Sequence, residues 1–161
     1  VLGPLTNPAG ALNQVIGVFS AKLVEPLARV LQRLGSEHIL VVHADDGIDE
    51  ISIAAETRVA ELKDGTVNTY TVSPEQFGLQ RANLSTLKVD SVEASLAMIR
   101  SVLNNEPGPA LDIVALNAGA AIYVSGLATT LTAGVDAARV SIADGSASAA
   151  LRKLAEISTS V

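Results

Sequence analysis

Four carboxylates crowd into the run Asp45-Asp46-Gly47-Ile48-Asp49-Glu50. Holding them so close is costly unless water screens them or a cation neutralises them. Hard oxygen donors suit Mg2+, which takes one or two carboxylates and completes its shell with water and phosphate oxygens. Asp49 and Glu50 are sequence neighbours, so on a regular strand they would point to opposite faces. Both can serve one metal only if the backbone is irregular there, with a turn at Gly47. From spacing alone a solvated acidic turn is the simpler reading, because the run is not a complete calcium-loop motif.

The other chemistry-bearing residues are sparser. His38 and His43 flank one expected strand, and a separation of five puts them on opposite faces, which suits structural histidines better than a shared metal site. Ser20, Ser73 and Thr129 stand where caps or turns are expected. No Gly-x-Ser-x-Gly elbow, Walker loop or dinucleotide glycine motif is present. The absence of cysteine excludes disulfides, thiolate metal sites and thiol nucleophiles, and it fits a reducing compartment.

The elements that would position the acidic run can be read from periodicity. Gln14 to Phe19 is an apolar run of strand length. Leu23, Val24, Leu27, Val30, Leu31 and Leu34 trace one helix face, with Pro26 early and Gly35 as a stop. His38 to His43 is continuously apolar, as in strands covered on both faces. Strand, helix and strand in this order predict a βαβ crossover, which puts the acidic run at the C-terminal end of a parallel strand. Open α/β sheets bind ligands at that edge.

Beyond it, Thr57–Leu62 and Val67–Val72 flank Asp64-Gly65, a hairpin signal. Ser73-Pro74-Glu75-Gln76 predicts a capped short turn ending at Gly78, and Asp90 with Glu93 predicts a second cap ahead of Val92, Leu96, Ile99 and Leu103. Glu106-Pro107-Gly108-Pro109 breaks the chain. Leu111–Val124 reads as a helix rich in Ala and Gly, suited to close packing at the centre. Asn117 within it must hydrogen-bond to backbone or to a neighbouring helix. Two more helices, about Thr130–Ile142 and Ser146–Ile157, complete an α/β pattern with a helical C-terminal layer.

Composition narrows the partners. A net charge of −6 and the lack of any basic stripe argue against nucleic acid. The longest apolar stretch, near Ala118–Leu127, is broken by Gly119, Ser125 and Gly126 and falls short of the ~20 residues a membrane span needs. Hydrophobic residues are 48% against 17% charged, so the chain carries more apolar surface than 161 residues readily cover by themselves. The opening Val1-Leu2-Gly3-Pro4, with no Met, reads as the interior of a longer sequence.

Several ordered motifs then add a resemblance. Val1-Leu2-Gly3-Pro4-Leu5-Thr6-Asn7-Pro8-Ala9, Arg33-Leu34-Gly35, Val41-Val42-His43, Gly47-Ile48-Asp49-Glu50-Ile51-Ser52, Phe77-Gly78-Leu79 and Leu116-Asn117-Ala118 together resemble the anthranilate phosphoribosyltransferase family. The resemblance implies a nucleoside-phosphorylase/phosphoribosyltransferase-type α/β domain, with a mainly parallel central sheet, a hairpin and flanking helices. It makes residues 1–161 a partial domain and residues 1–14 the junction with a small helical domain. It implies transfer of the phosphoribosyl group from phosphoribosyl pyrophosphate to anthranilate, in tryptophan biosynthesis in the cytoplasm. Asp49 and Glu50 would bind Mg2+ at the pyrophosphate, and Gly3 and Pro4 would line the anthranilate pocket. No residue of this chain is expected to act as a catalytic group.

The family's glycine-rich phosphate loop, its Lys-His-Gly-Asn segment and the arginine for the anthranilate carboxylate all fall upstream of Val1. The expectation is therefore the C-terminal half of a protein whose N-terminal half carries the dimer contact, a homodimer when complete and inactive as this half alone. A nucleoside phosphorylase of related fold, or a non-catalytic homologue serving as a binding module, stays open as an alternative.

Overall fold

The computed structural model describes residues 2–5 and 9–159. Its centre is β2, His38–Ala44, in which Ile39, Leu40, Val41 and Val42 are all buried. That matches the continuous apolar run, because both faces of the strand are covered. β1, Asn13–Gly17, pairs with β2 in parallel. The helix α2, Val24–Arg33, makes the crossover between them. β3, Thr57–Lys63, and β4, Thr66–Val72, complete a four-stranded sheet in the order β1-β2-β3-β4. The β2–β3 and β3–β4 pairs are antiparallel, so among the described residues the sheet is mixed and β1–β2 is its parallel part. The β3–β4 turn places both Asp64 (φ 50°) and Gly65 (φ 72°) in the left-handed region, as a two-residue Asp-Gly hairpin requires.

One face of the sheet buries Ile39, Val41, Ala60 and Leu62 against Val24, Leu27, Ala28 and Leu31 of α2. The predicted stripe on α2 is wider than the observed one, for Val30 and Leu34 lie outside the contact and are exposed. The other face sets Leu40, Val42, Val59 and Val72 against α4, Pro109–Val124, which packs on α5, Leu131–Ala143. Each such large aliphatic side chain taken from water contributes about 1.5–3 kcal/mol. α4 begins two residues before the predicted Leu111, since Pro109 takes the first helical position, where its missing N–H costs nothing.

The expectation that the small residues of α4 permit close approach holds. A Cβ on Gly119 would sit 2.5 Å from the Val135 Cα, and one on Gly134 would overlap the Gly119 carbonyl oxygen. At its far end α4 is tied to the sheet by polar groups. The Tyr123 hydroxyl donates to Glu61 Oε1 at 2.6 Å, Tyr70 donates to Glu61 Oε2 at 3.0 Å, and His38 Nε2 lies 2.9 Å from Oε1. Burial, then the nearby Glu61 carboxylate, pushes both phenols above their ordinary pKa, so they remain donors. Lys63 adds its ammonium to the Tyr123 hydroxyl at 3.2 Å.

Several boundaries differ from the periodicity. Phe19 is exposed rather than in a strand, because β1 stops at Gly17. Ser91, not Asp90, caps α3, Val92–Leu103: its Oγ accepts the Ala94 N–H at 3.1 Å. Thr130 rather than Thr129 caps α5, while Ser20 accepts the Lys22 N–H as a cap. The apolar face of α3 is left open, with Val92 79% exposed and Leu96 and Ile99 also exposed. α6, Ser146–Thr159, has no buried residue. No helix among the described residues is long and apolar enough to cross a membrane.

Gly119→Ala forces α4 and α5 apart and is expected to destabilise the protein by about 1–3 kcal/mol or more, as overpacking does. Urea unfolding checks this, and an unchanged midpoint would show that the two helices have room to separate.

Candidate functional site

The segment between β2 and β3 is irregular throughout, and short-range bonds set its shape. The Ala44 N–H donates to the Ile48 carbonyl at 3.1 Å, the Gly47 N–H to the Ala44 carbonyl at 2.9 Å, and the Asp45 N–H to the Glu56 carbonyl at 2.8 Å. Gly47 adopts φ +94°, so the expected turn is present where a side chain would be strained.

Within this loop the four carboxylates divide into two kinds. Asp45 pairs with Arg58 Nε at 3.1 Å. Asp46 accepts the Ile48 N–H at 3.3 Å and the Ser52 hydroxyl at 2.5 Å, and that same hydroxyl accepts the Ala54 N–H at 2.9 Å. Asp49 and Glu50 are exposed, and neither carboxylate has a hydrogen-bond or ion-pair partner among the described residues. The backbone around these two is nevertheless tightly held.

Two elements hold it. At the end of β1, a Cβ on Gly17 would overlap the Asp49 carbonyl, so only glycine lets the acidic loop lie against the strand. Two residues after Asp49, Asn117 of α4 brackets Ile51. Its Oδ1 accepts the Ile51 N–H at 2.9 Å and its Nδ2 donates to the Ile51 carbonyl at 3.0 Å. Just beyond, the buried Thr57 hydroxyl accepts the Ser52 N–H at 3.0 Å, and the Ile51 and Ile53 side chains enter the core. Asn117 thus bonds to backbone as expected, but to the acidic loop. Gly17, Ser52 and Thr57 were not singled out from sequence. The Gly17 contact joins segments distant in sequence, and no local pattern marks Ser52 or Thr57.

The two histidines are structural. Nδ1 of His43 lies 2.8 Å from the Val18 carbonyl; since a carbonyl only accepts, Nδ1 carries the proton. His38 belongs to the Glu61 cluster at the other end of the sheet. Gly3 is exposed in the helical turn α1, Leu2–Leu5, and Leu5 packs against the α2 side of the core, apart from the contacts of the acidic loop. The Pro4 side chain and Thr6-Asn7-Pro8 lie outside the described groups. A cleft of about 340 Å3 between α2 and the hairpin is lined by Glu25, Arg58, Thr69 and Thr71, and not by Asp49 or Glu50.

Among the described residues no three His, Cys, Asp or Glu side chains converge in a cage for a metal. A cation that keeps much of its water and takes phosphate oxygens from a ligand, as Mg2+ does, needs only one or two carboxylates from the protein. The two unpartnered carboxylates are a fitting donor set for such an ion.

Residues 1–148 match a family model described as glycosyl transferase family, a/b domain. The chain is 64% identical over 158 residues to the anthranilate phosphoribosyltransferase of Methylococcus capsulatus, a match covering 98% of this chain and 46% of that protein. The crystal structure of the anthranilate phosphoribosyltransferase of Thermus thermophilus superimposes with a TM-score of 0.85 at 44% identity, over 94% of this chain and 45% of that one. That of Saccharomyces cerevisiae, in complex with PRPP and Mg, gives 0.87 at 26% identity, over 100% of this chain and 47% of that one. The chain spans about half the length of these relatives.

Gly17→Ala is expected to push the Asp49 backbone away from β1, disordering the acidic loop while the core survives. The expected signature is faster amide exchange confined to the segment after β2. Wild-type exchange in that segment would show that the close approach is dispensable.

Proposed function

We propose, on the premise that this chain belongs to the glycosyl transferase family through its a/b domain, that the complete protein is an anthranilate phosphoribosyltransferase. In this reading it moves the 5-phosphoribosyl group of phosphoribosyl pyrophosphate onto the amine of anthranilate and releases pyrophosphate. The likeness to relatives of that activity across nearly the whole chain supports this, as does the PRPP and Mg complex of the yeast relative. The observation that carries it is local: of the four clustered carboxylates, Asp49 and Glu50 alone lack a protein partner among the described residues, and their backbone is held by Gly17 and by Asn117.

Asp49 and Glu50 hold Mg2+ at the pyrophosphate. When C1–O breaks, negative charge grows on the departing pyrophosphate and positive charge on the ribose, and Mg2+ held by Asp49 and Glu50 would supply the charge that neutralises the former. The anthranilate nitrogen bonds to C1 and gives up a proton. The remaining residues of the loop keep the two carboxylates available. Asp45 is held by Arg58 and Asp46 by Ser52, which removes them from competition for the ion and lowers the repulsion around it. Gly3 and Pro4 line the anthranilate pocket through shape and backbone, and residues 1–14 join this domain to a small helical one. Within this reading the complete protein works in tryptophan biosynthesis in the cytoplasm, as a homodimer.

In the complete protein, Asp49→Asn and Glu50→Gln are each expected to lower turnover at fixed Mg2+ by about 10–100-fold, with part of the loss recovered at high Mg2+. A rate independent of Mg2+ concentration in both variants and in the unaltered protein would remove the metal role. Titration of the complete protein with anthranilate and with nucleosides, in the presence of Mg2+, tests the acceptor. Binding of anthranilate is expected, and binding of nucleosides alone would overturn the assignment.

A further inference from the structure

Asn117 lies on α4, and it meets the acidic loop at one residue, Ile51, from both sides of that residue's Cα. Oδ1 accepts the Ile51 N–H at 2.9 Å and Nδ2 donates to the Ile51 carbonyl at 3.0 Å. The first bond fixes the plane of the Glu50–Ile51 peptide, and with it the direction in which the Glu50 side chain leaves the backbone. The second fixes the next peptide plane. Nδ2 also donates to the Ile113 carbonyl, one helical turn back, at 3.0 Å, so the amide is itself oriented before it meets the loop. Its oxygen and both of its N–H groups are therefore used, which leaves it no second arrangement of equal energy.

The helix that carries Asn117 is a stiff platform. Gly119, two residues on, packs directly against the Val135 backbone, and Leu116, fully buried, sits in the core beneath β2. The Asp49 backbone of the same pair lies directly against Gly17 of β1. This partly buried amide bonds beside Asp49 and Glu50, whose carboxylates have no hydrogen-bond or ion-pair partner among the described residues.

We infer that Asn117 is a positioning residue for the metal-binding pair: through the Ile51 peptide it sets the direction of the Glu50 carboxylate, so that Asp49 and Glu50 address one cation. This rests on the reading of Asp49 and Glu50 as metal-binding. Asn117 touches neither substrate nor ion, and its effect is on affinity for the cation. Groups that orient metal ligands change affinity or activity by about 10–100-fold when removed.

The test uses the complete protein, with Mn2+ as the probe and pyrophosphate present, and binding followed by electron paramagnetic resonance. Asn117→Ala is expected to raise the Mn2+ dissociation constant about 10–100-fold, and to raise the Mg2+ concentration for half-maximal turnover in step, with turnover at saturating Mg2+ largely retained. Leu116→Ala is the control for lost packing in the same helix, expected to lower the melting temperature without weakening Mn2+ binding. An unchanged Mn2+ affinity in Asn117→Ala, or an equal loss in Leu116→Ala, overturns the positioning role. Should Asn117→Ala fail to fold, Asn117→Gln, which keeps the amide but displaces it by one methylene, is judged by the same criteria. Asp49→Asn in the same assay separates the two levels. An unchanged affinity there overturns the metal reading itself, whereas a loss there without one at Asn117 overturns only the positioning role.

Discussion

A chain that leaves a strand buried on both faces and then stays irregular must still find partners for its peptide groups, because an unpaired backbone donor or acceptor away from water costs about 1–3 kcal/mol. β2 ends at Ala44 in this situation, and the regular ladder does not resume until Thr57. Side chains supply what the ladder would have: Asn117 for Ile51, Thr57 for Ser52, Ser52 for Ala54. The same bonds that prevent this loss give the loop one shape. The exposed Asp49 and Glu50 inherit that shape without contributing to it, which leaves their oxygens available for an outside ligand.

The layout around the loop serves the same end. α2 and α4 cover the two faces of β2, so the strand cannot tilt under the loop it carries. α4 is fixed by glycine-mediated packing on α5 at Gly119 and, one turn on, by Tyr123 on Glu61. The polar cluster of His38, Glu61, Tyr70 and Tyr123 lies at the opposite end of the sheet from the acidic loop, and it fastens three strands to one helix. The two ends are built differently: in one the Glu61 carboxylate accepts from both tyrosines, and in the other two carboxylates have no partner among the described residues.

Much of this was legible in the residues. The unbroken apolar run of β2, the Asp-Gly hairpin and the small residues of α4 each state a local or near-local requirement, and each element formed as its pattern demands. Cap positions slipped by one residue, Asp90 to Ser91 and Thr129 to Thr130, because adjacent polar residues compete for the same role and only backbone direction decides. Asp49 and Glu50 looked from spacing like an ordinary solvated turn. What distinguishes them, the Asn117 bond and the Gly17 contact, joins residues far apart in sequence and leaves no periodic trace. The motif resemblance reached the pair by a different route. The open apolar faces of α3 and α6 accord with a composition richer in apolar residues than the described fold covers.

The bond between Ile51 and Asn117 closes a span of 66 residues. Closing a loop of that size carries an entropic cost that must be met before the contact gives anything back, and it requires α4 to be formed and docked on the sheet. The hairpin and the βαβ unit can assemble from neighbouring segments well before that. The fixed shape of the acidic loop is therefore among the last features to appear as the chain folds. A nascent chain still lacking α4 exposes the same four carboxylates but no preferred direction among them, so a defined arrangement of Asp49 and Glu50 arrives together with the completed tertiary structure.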